Sequence, residues 1–152
     1  MQVVCLLGFL FAVFSVCAPL EAGDLTASQK SVIGRKIWQN ECAGSVAGLT
    51  SWNGGEEFPS LGIGHFIWYP AGFKGRFEES WPQFAAFASQ RGADLPAVAK
   101  EAHSPWKTKS EFQADFKSAR MTALRTWLAA NVGMQTDIPA GTSIFRELAP
   151  LP

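Results

Sequence analysis

The spacing of polar and apolar positions along this chain changes several times, and each change marks a predicted element. Residues 3–16 (VVCLLGFLFAVFSV) are an apolar run, too short to cross a bilayer as a helix and followed by small residues. From residue 26 the pattern becomes helical. Thr26-Ala-Ser-Gln29 has the form of a capping box. Ile33 and Ile37 are four apart, with Val32 and Trp38 beside them, which predicts one buried face on a helix running to Glu41. Lys30, Arg35 and Lys36 are left for solvent, and Gly44 and Gly48 end the pattern.

Beyond Gly48 the period falls to two. Residues 49–52 and 58–66 read as two strands joined through Asn53-Gly54-Gly55-Glu56, because Asn-Gly and Gly-Gly supply the positive φ of a tight hairpin. A two-residue turn at Gly54-Gly55 puts Asn53, Glu56, Phe58 and Ser60 on one face. Pro59 lacks an N–H and marks an edge or irregular pairing. A Pro/Gly loop follows at residues 69–75.

Ser80-Trp-Pro-Gln83 opens a second helix to about Arg91, stopped by Gly92, and Pro96 starts a short one within residues 95–102. Ser110-Glu-Phe-Gln113 caps a third long helix with Phe112, Phe116, Leu124, Trp127 and Leu128 at core spacing, ended by Gly133. Residues 142–148 are consistent with another turn or two. The sum is an α+β fold, a mainly helical domain with one small β-hairpin lobe.

Composition refines this picture in two ways. The apolar start reads as a secretory signal over residues 1–22, with an uncleaved anchor or a lipoprotein modified at Cys17 as the alternatives, leaving a single domain over residues 23–152 in an exported, periplasmic or secreted protein. Cys5 and Cys17 leave with it, so Cys42 is the one remaining thiol and the domain relies on its core rather than on an internal disulfide. Thirteen Lys and Arg balance thirteen Asp and Glu, which argues against electrostatic capture of nucleic acid. No stable membrane span is expected after signal cleavage, and the expected state is a monomer.

Candidate chemistry concentrates in residues 41–66, ECAGSVAGLTSWNGGEEFPSLGIGHF. A carboxylate at a helix C-terminus faces the negative end of the macrodipole, and partial burial beside Trp38 and Cys42 adds a desolvation effect of the same sign. Both favour a Glu41 that keeps its proton, as a general acid must. Cys42 adjoins Glu41 but points to another side of a helix, so a thiol nucleophile paired with His65 is disfavoured. His103 stands alone and no paired Cys/His spacing exists, so neither a metal nor another cofactor is expected. Trp52, Trp68 and Tyr69 flank the hairpin, where aromatic rings either stack on sugars or fill the core.

A helix-ending Glu, a hairpin and then Ser60-Leu-Gly-Ile-Gly-His65 resembles the phage-type lysozymes of the lysozyme-like superfamily. The resemblance covers roughly residues 33–67. It implies a helical bundle with a hairpin lobe forming one lip of a cleft, with fewer closing helices expected at the C-terminus here than such a bundle usually has. The implied activity is cleavage of the β-1,4 bond between N-acetylmuramic acid and N-acetylglucosamine in peptidoglycan. Carried across by residue, Glu41 takes the place of the general acid and Ser60 that of a hydroxyl, usually Thr, that helps hold the attacking water. Gly62, Ile63, Gly64 and His65 fill the structural turn.

The family's hairpin Asp has no counterpart, since no Asp lies between Asp24 and Asp94. Asn53 is nearest by position, and Glu56 and Glu57 are the carboxylates of the segment. A Glu56 facing the cleft serves as base or charge stabiliser. A Glu56 facing outward leaves one carboxylate, as in lytic transglycosylases. The resulting expectation is a peptidoglycan glycosidase with Glu41, Ser60 and Glu56 as catalytic residues and Asn53, Trp52, His65 and Trp68 as substrate-binding residues. The alternatives are a lytic transglycosylase, or a non-catalytic glycan-binding or structural cell-envelope protein on the same scaffold.

Overall fold

Thr26 caps the first helix as its sequence predicts. Its hydroxyl accepts the Gln29 N–H at 3.3 Å, and the Gln29 side chain accepts the Thr26 N–H at 2.8 Å. The helix, α1, spans Ala27–Glu41. The structure, a computed structural model, describes residues 25–137, the side chain of Glu41 excepted. The expected signal at 1–22 and the expected turns at 142–148 lie outside the described residues.

The buried stripe of α1 is not the expected one. Val32 and Ile33 are exposed, whereas Gly34 is buried and Ile37 and Trp38 are half-buried. The cause is close packing on α5 (Val132–Gln135). A Cβ at Gly34 would lie 2.7 Å from Val132 Cγ1, so glycine, not the aliphatic pair, marks the contact face.

The chain then forms a 3₁₀ turn (Ala47–Leu49) and a small antiparallel sheet of β1 (Thr50–Ser51), β2 (Ser60–Leu61) and β3 (Phe66–Ile67), in the order β1-β2-β3. The expected single hairpin is thus a three-stranded meander, and its register differs too. Ser51 pairs with Ser60, so residues 52–59 all belong to the connection. Phe58 packs edge-on against Tyr69 (5.2 Å) and Phe77 (6.1 Å), while Trp52 packs against Phe112 (5.9 Å). Burying such a ring stabilises by about 1.5–3 kcal/mol, against about 1 kcal/mol net for a ladder hydrogen bond. The aromatics therefore win, and Asn53, Glu56, Phe58 and Ser60 do not form one face.

Helix α2 (Trp81–Gln90) begins where predicted, with Pro82 in its first turn. Ser80 does not cap it through its side chain. Its hydroxyl accepts the Ile67 N–H at 2.9 Å and its own N–H donates to the Ile67 carbonyl at 3.1 Å, closing the outer edge of β3. A 3₁₀ turn at Ala97–Lys100 stands where a short helix was expected.

The expected third helix is broken. Thr108, not Ser110, caps α3 (Lys109–Ala114), and Ser118 caps α4 (Ala119–Ala130). Gly133 lies inside α5 and terminates nothing. The break has side-chain causes: Ser118 accepts the Met121 N–H, and the Phe116 carbonyl is taken by Arg125 Nη1 at 2.7 Å. The elements enclose an aromatic core in which Trp68, Trp81, Trp106, Phe66 and Phe84 are fully buried. Among the described residues no helix is long and apolar enough to cross a membrane.

Asp115 secures the break. Its Oδ2 accepts from Arg120 Nε at 2.5 Å and Trp106 Nε1 at 2.8 Å. Burial pushes this carboxyl up, but hydrogen bonds from Arg120, Trp106 and Ser118 and the Arg120 charge together hold it below its ordinary value. A lowered folded-state pKa stabilises above the unfolded pKa of about 4 and is lost as pH falls through the folded value. Asp115→Asn is expected to cost on the order of 1 kcal/mol at pH 7. In urea unfolding that gap should shrink as pH is taken from neutral to well below the carboxylate range. A gap independent of pH would separate the residue's role from its ionisation.

Candidate functional site

Glu41 is the last residue of α1, whose final turn holds no basic residue, so the negative end of the helix dipole is not offset locally. The chain turns sharply just after it. The Trp38 carbonyl accepts the N–H groups of both Cys42 (3.0 Å) and Gly44 (3.1 Å), with Ala43 at φ 51 and Gly44 at φ 65. Ser45 donates back to the Cys42 carbonyl and its hydroxyl accepts the Gly48 N–H at 3.0 Å. Trp38 Nε1 donates to the Ser45 carbonyl at 3.0 Å. A Cβ on Gly48 would lie 2.7 Å from the Cys42 carbonyl oxygen, so the path from Glu41 to β1 is short and tightly wrapped. Cys42 is buried inside this wrap, a packing position rather than an exposed nucleophile.

Cross-strand partners share a face of a sheet. Thr50, Leu61 and Phe66 form one row, all buried at 2% exposure or less, and face the core. Ser51, Ser60 and Ile67 form the opposite row, with Ser51 and Ile67 half-buried and Ser60 at 5% exposure. Ser60 therefore stands on the non-core face, flanked by a second hydroxyl. Ser51 donates to the Ser60 carbonyl at 3.5 Å. Ser51 was not singled out in the sequence, since only the observed register makes it Ser60's neighbour.

Gly62 to His65 form the turn between β2 and β3. Gly62 has φ 69 and donates to the Leu49 carbonyl at 2.7 Å, while His65 has φ 49 and donates its N–H to the Gly62 carbonyl at 3.3 Å. His65 is exposed and Ile63 is buried. The Ile63 N–H is held by Gln135, whose Oε1 accepts it at 2.8 Å.

Other expected site residues are placed differently. Trp68 is 0% exposed among Trp81 and Trp106, so its ring is core and offers no stacking surface. Trp52 is buried as well, its Nε1 donating to the Glu56 carbonyl at 2.6 Å, and Tyr69 is buried with its hydroxyl donating to the Phe77 carbonyl. Asn53 and Glu57 are exposed on the 52–59 connection. Glu56 is half-buried there, and its Oε2 is enclosed without a hydrogen-bond partner. The structure thus joins the Ser51/Ser60 face to the Gly62–His65 turn through the β-meander, and withdraws the two tryptophans into the core. Among the described residues no cluster of three or more His, Cys, Asp or Glu is arranged to hold a metal. No protein family, curated protein or solved structure matches the chain.

Proposed function

We propose that this protein is an exported glycoside hydrolase of the lysozyme type that cleaves the β-1,4 bonds of peptidoglycan with Glu41 as its general acid. The observation that carries the reading is the location of backbone strain. Among the described residues, two that are not glycine adopt positive φ, Ala43 and His65. Such a conformation costs roughly 1–2 kcal/mol per residue and tends to gather at functional sites. One lies two residues after Glu41 and the other closes the turn that follows Ser60.

In this reading Glu41 protonates the glycosidic oxygen as the bond breaks, aided by the dipole of α1, which disfavours its ionised form. Ser60, with Ser51 beside it on the non-core face, orients water at the opposite side of the sugar. Glu56, with an enclosed oxygen that lacks a donor, is the second carboxylate, and Asn53 lies exposed beside it on the same connection. Trp52 and Trp68 support the wall from behind. The test is digestion of purified sacculi by the protein. Release of muropeptides with new reducing ends is expected. Anhydro-muropeptides instead would assign a lytic transglycosylase, and co-sedimentation without any release would assign a glycan-binding protein.

A further inference from the structure

We infer that Gln135 is a positioning residue for this site, and that α5 sets the placement of the Ser60-to-His65 wall relative to the helix that ends at Glu41. The inference rests on the glycosidase reading and adds to it an element that no local motif announces. Gln135 is 2% exposed. Its Oε1 accepts the Ile63 N–H at 2.8 Å and its Nε2 donates to the Leu128 carbonyl at 2.7 Å. An amide carries one acceptor and one donor group in fixed relation, so the two bonds also fix which way it points. A single side chain thereby ties the middle of the turn to the end of α4.

Two glycines show that this contact is built in. Gly62 has φ 69, and a Cβ there would lie 2.3 Å from Gln135 Oε1, so only glycine lets the amide reach Ile63. On the other wall Gly34 of α1 is cleared for Val132 of α5 at 2.7 Å. Each half of the site thus leaves room, with a residue lacking a side chain, for the same four-residue helix. Asp137, just past α5, completes the attachment through ion pairs with Lys30 of α1 at 2.8 Å and Arg91 after α2 at 2.6 Å. A change at α5 is therefore felt by the acid-bearing helix and by the turn that follows the hydroxyl-bearing strand together.

The experiment compares Gln135→Met and Gln135→Glu with the wild type on solubilised peptidoglycan, well below the Tm of each. Methionine keeps the volume and removes both hydrogen bonds. Its kcat per folded molecule should fall about ten- to a hundredfold with KM within about twofold, since misplaced catalytic groups weaken the transition state more than binding. Glutamic acid keeps both bonds only while protonated, when it has one O–H donor and one acceptor. The ratio of Gln135→Glu activity to wild type should therefore rise as pH is lowered. Hydrogen exchange at the Ile63 amide gives a second reading that needs no turnover: its protection should drop in Gln135→Met. Wild-type kcat in the methionine variant, or unchanged Ile63 protection, overturns the positioning role and leaves the glycosidase reading standing. A wild type without turnover overturns that reading itself.

Discussion

Glu41→Gln is expected to lower peptidoglycan turnover by about a hundred- to ten-thousandfold while the thermal midpoint stays at or slightly above that of the wild type. The two halves of this expectation have separate causes. The amide is nearly isosteric with the carboxyl, but it has no proton acidic enough to give to a leaving sugar oxygen. Stability should not suffer, because a negative charge at a helix C-terminus opposes the macrodipole and no basic residue in the last turn offsets it. Where Glu41 keeps its proton the exchange is neutral, and where it is ionised, removing the charge relieves a few tenths of a kcal/mol. The check is turnover and melting measured on one preparation. Equal turnover in variant and wild type would remove Glu41 as the acid, and equal loss of turnover and stability would assign it a structural role.

What was legible in the sequence was local. The Thr26 capping box and the Pro82 start of α2 depend on residues within one turn, and both stand where the pattern places them. The α+β class followed from the same reasoning. What escaped was set by contacts far apart in the chain. Val32 and Ile33 have the right spacing for a core stripe, yet α1 turns Gly34 inward because α5 approaches there. The hairpin register was misjudged because Trp52 and Phe58 gain more from ring contacts than from the ladder. In the candidate site, the end of α1 at Glu41 and the turn at Gly62–His65 were legible as local structure. Trp68 could not be separated from a stacking residue, since periodicity does not tell a buried aromatic from a sugar platform. Gln135 had no signal at all, because it meets Ile63 across 72 positions.

Arg125 carries the largest expected effect on stability. It is 8% exposed, and its Nε donates to Thr50 Oγ1 at 2.7 Å while Nη1 donates to the Phe116 carbonyl at 2.7 Å. The guanidinium lies 3.6 Å from the centre of the Phe116 ring, and Nη2 is enclosed without a partner. Burial holds its pKa below the ordinary value, though an arginine remains charged across the working range. The side chain thus joins β1, through Thr50 on the core face, to the break between α3 and α4. Arg125→Ala removes both hydrogen bonds and opens a cavity, and is expected to cost about 3 kcal/mol or more in denaturant unfolding.

Arg125→Met discriminates among the causes of that loss. It fills most of the volume, gives up the two hydrogen bonds and removes a charge whose desolvation the surroundings only partly offset, so it should recover at least half of the alanine deficit. Replacing a whole buried ion pair by apolar side chains of similar volume is often neutral or stabilising by about 1–4 kcal/mol, whereas Met here leaves the Thr50 hydroxyl and the Phe116 carbonyl without their donor, so recovery should stop short of the wild type. A methionine variant as unstable as the alanine one would mean that the hydrogen bonds to Thr50 and Phe116 dominate. An alanine variant within about 1 kcal/mol of wild type would mean that neither does, because so small a cost is not compatible with a filled and bonded core position.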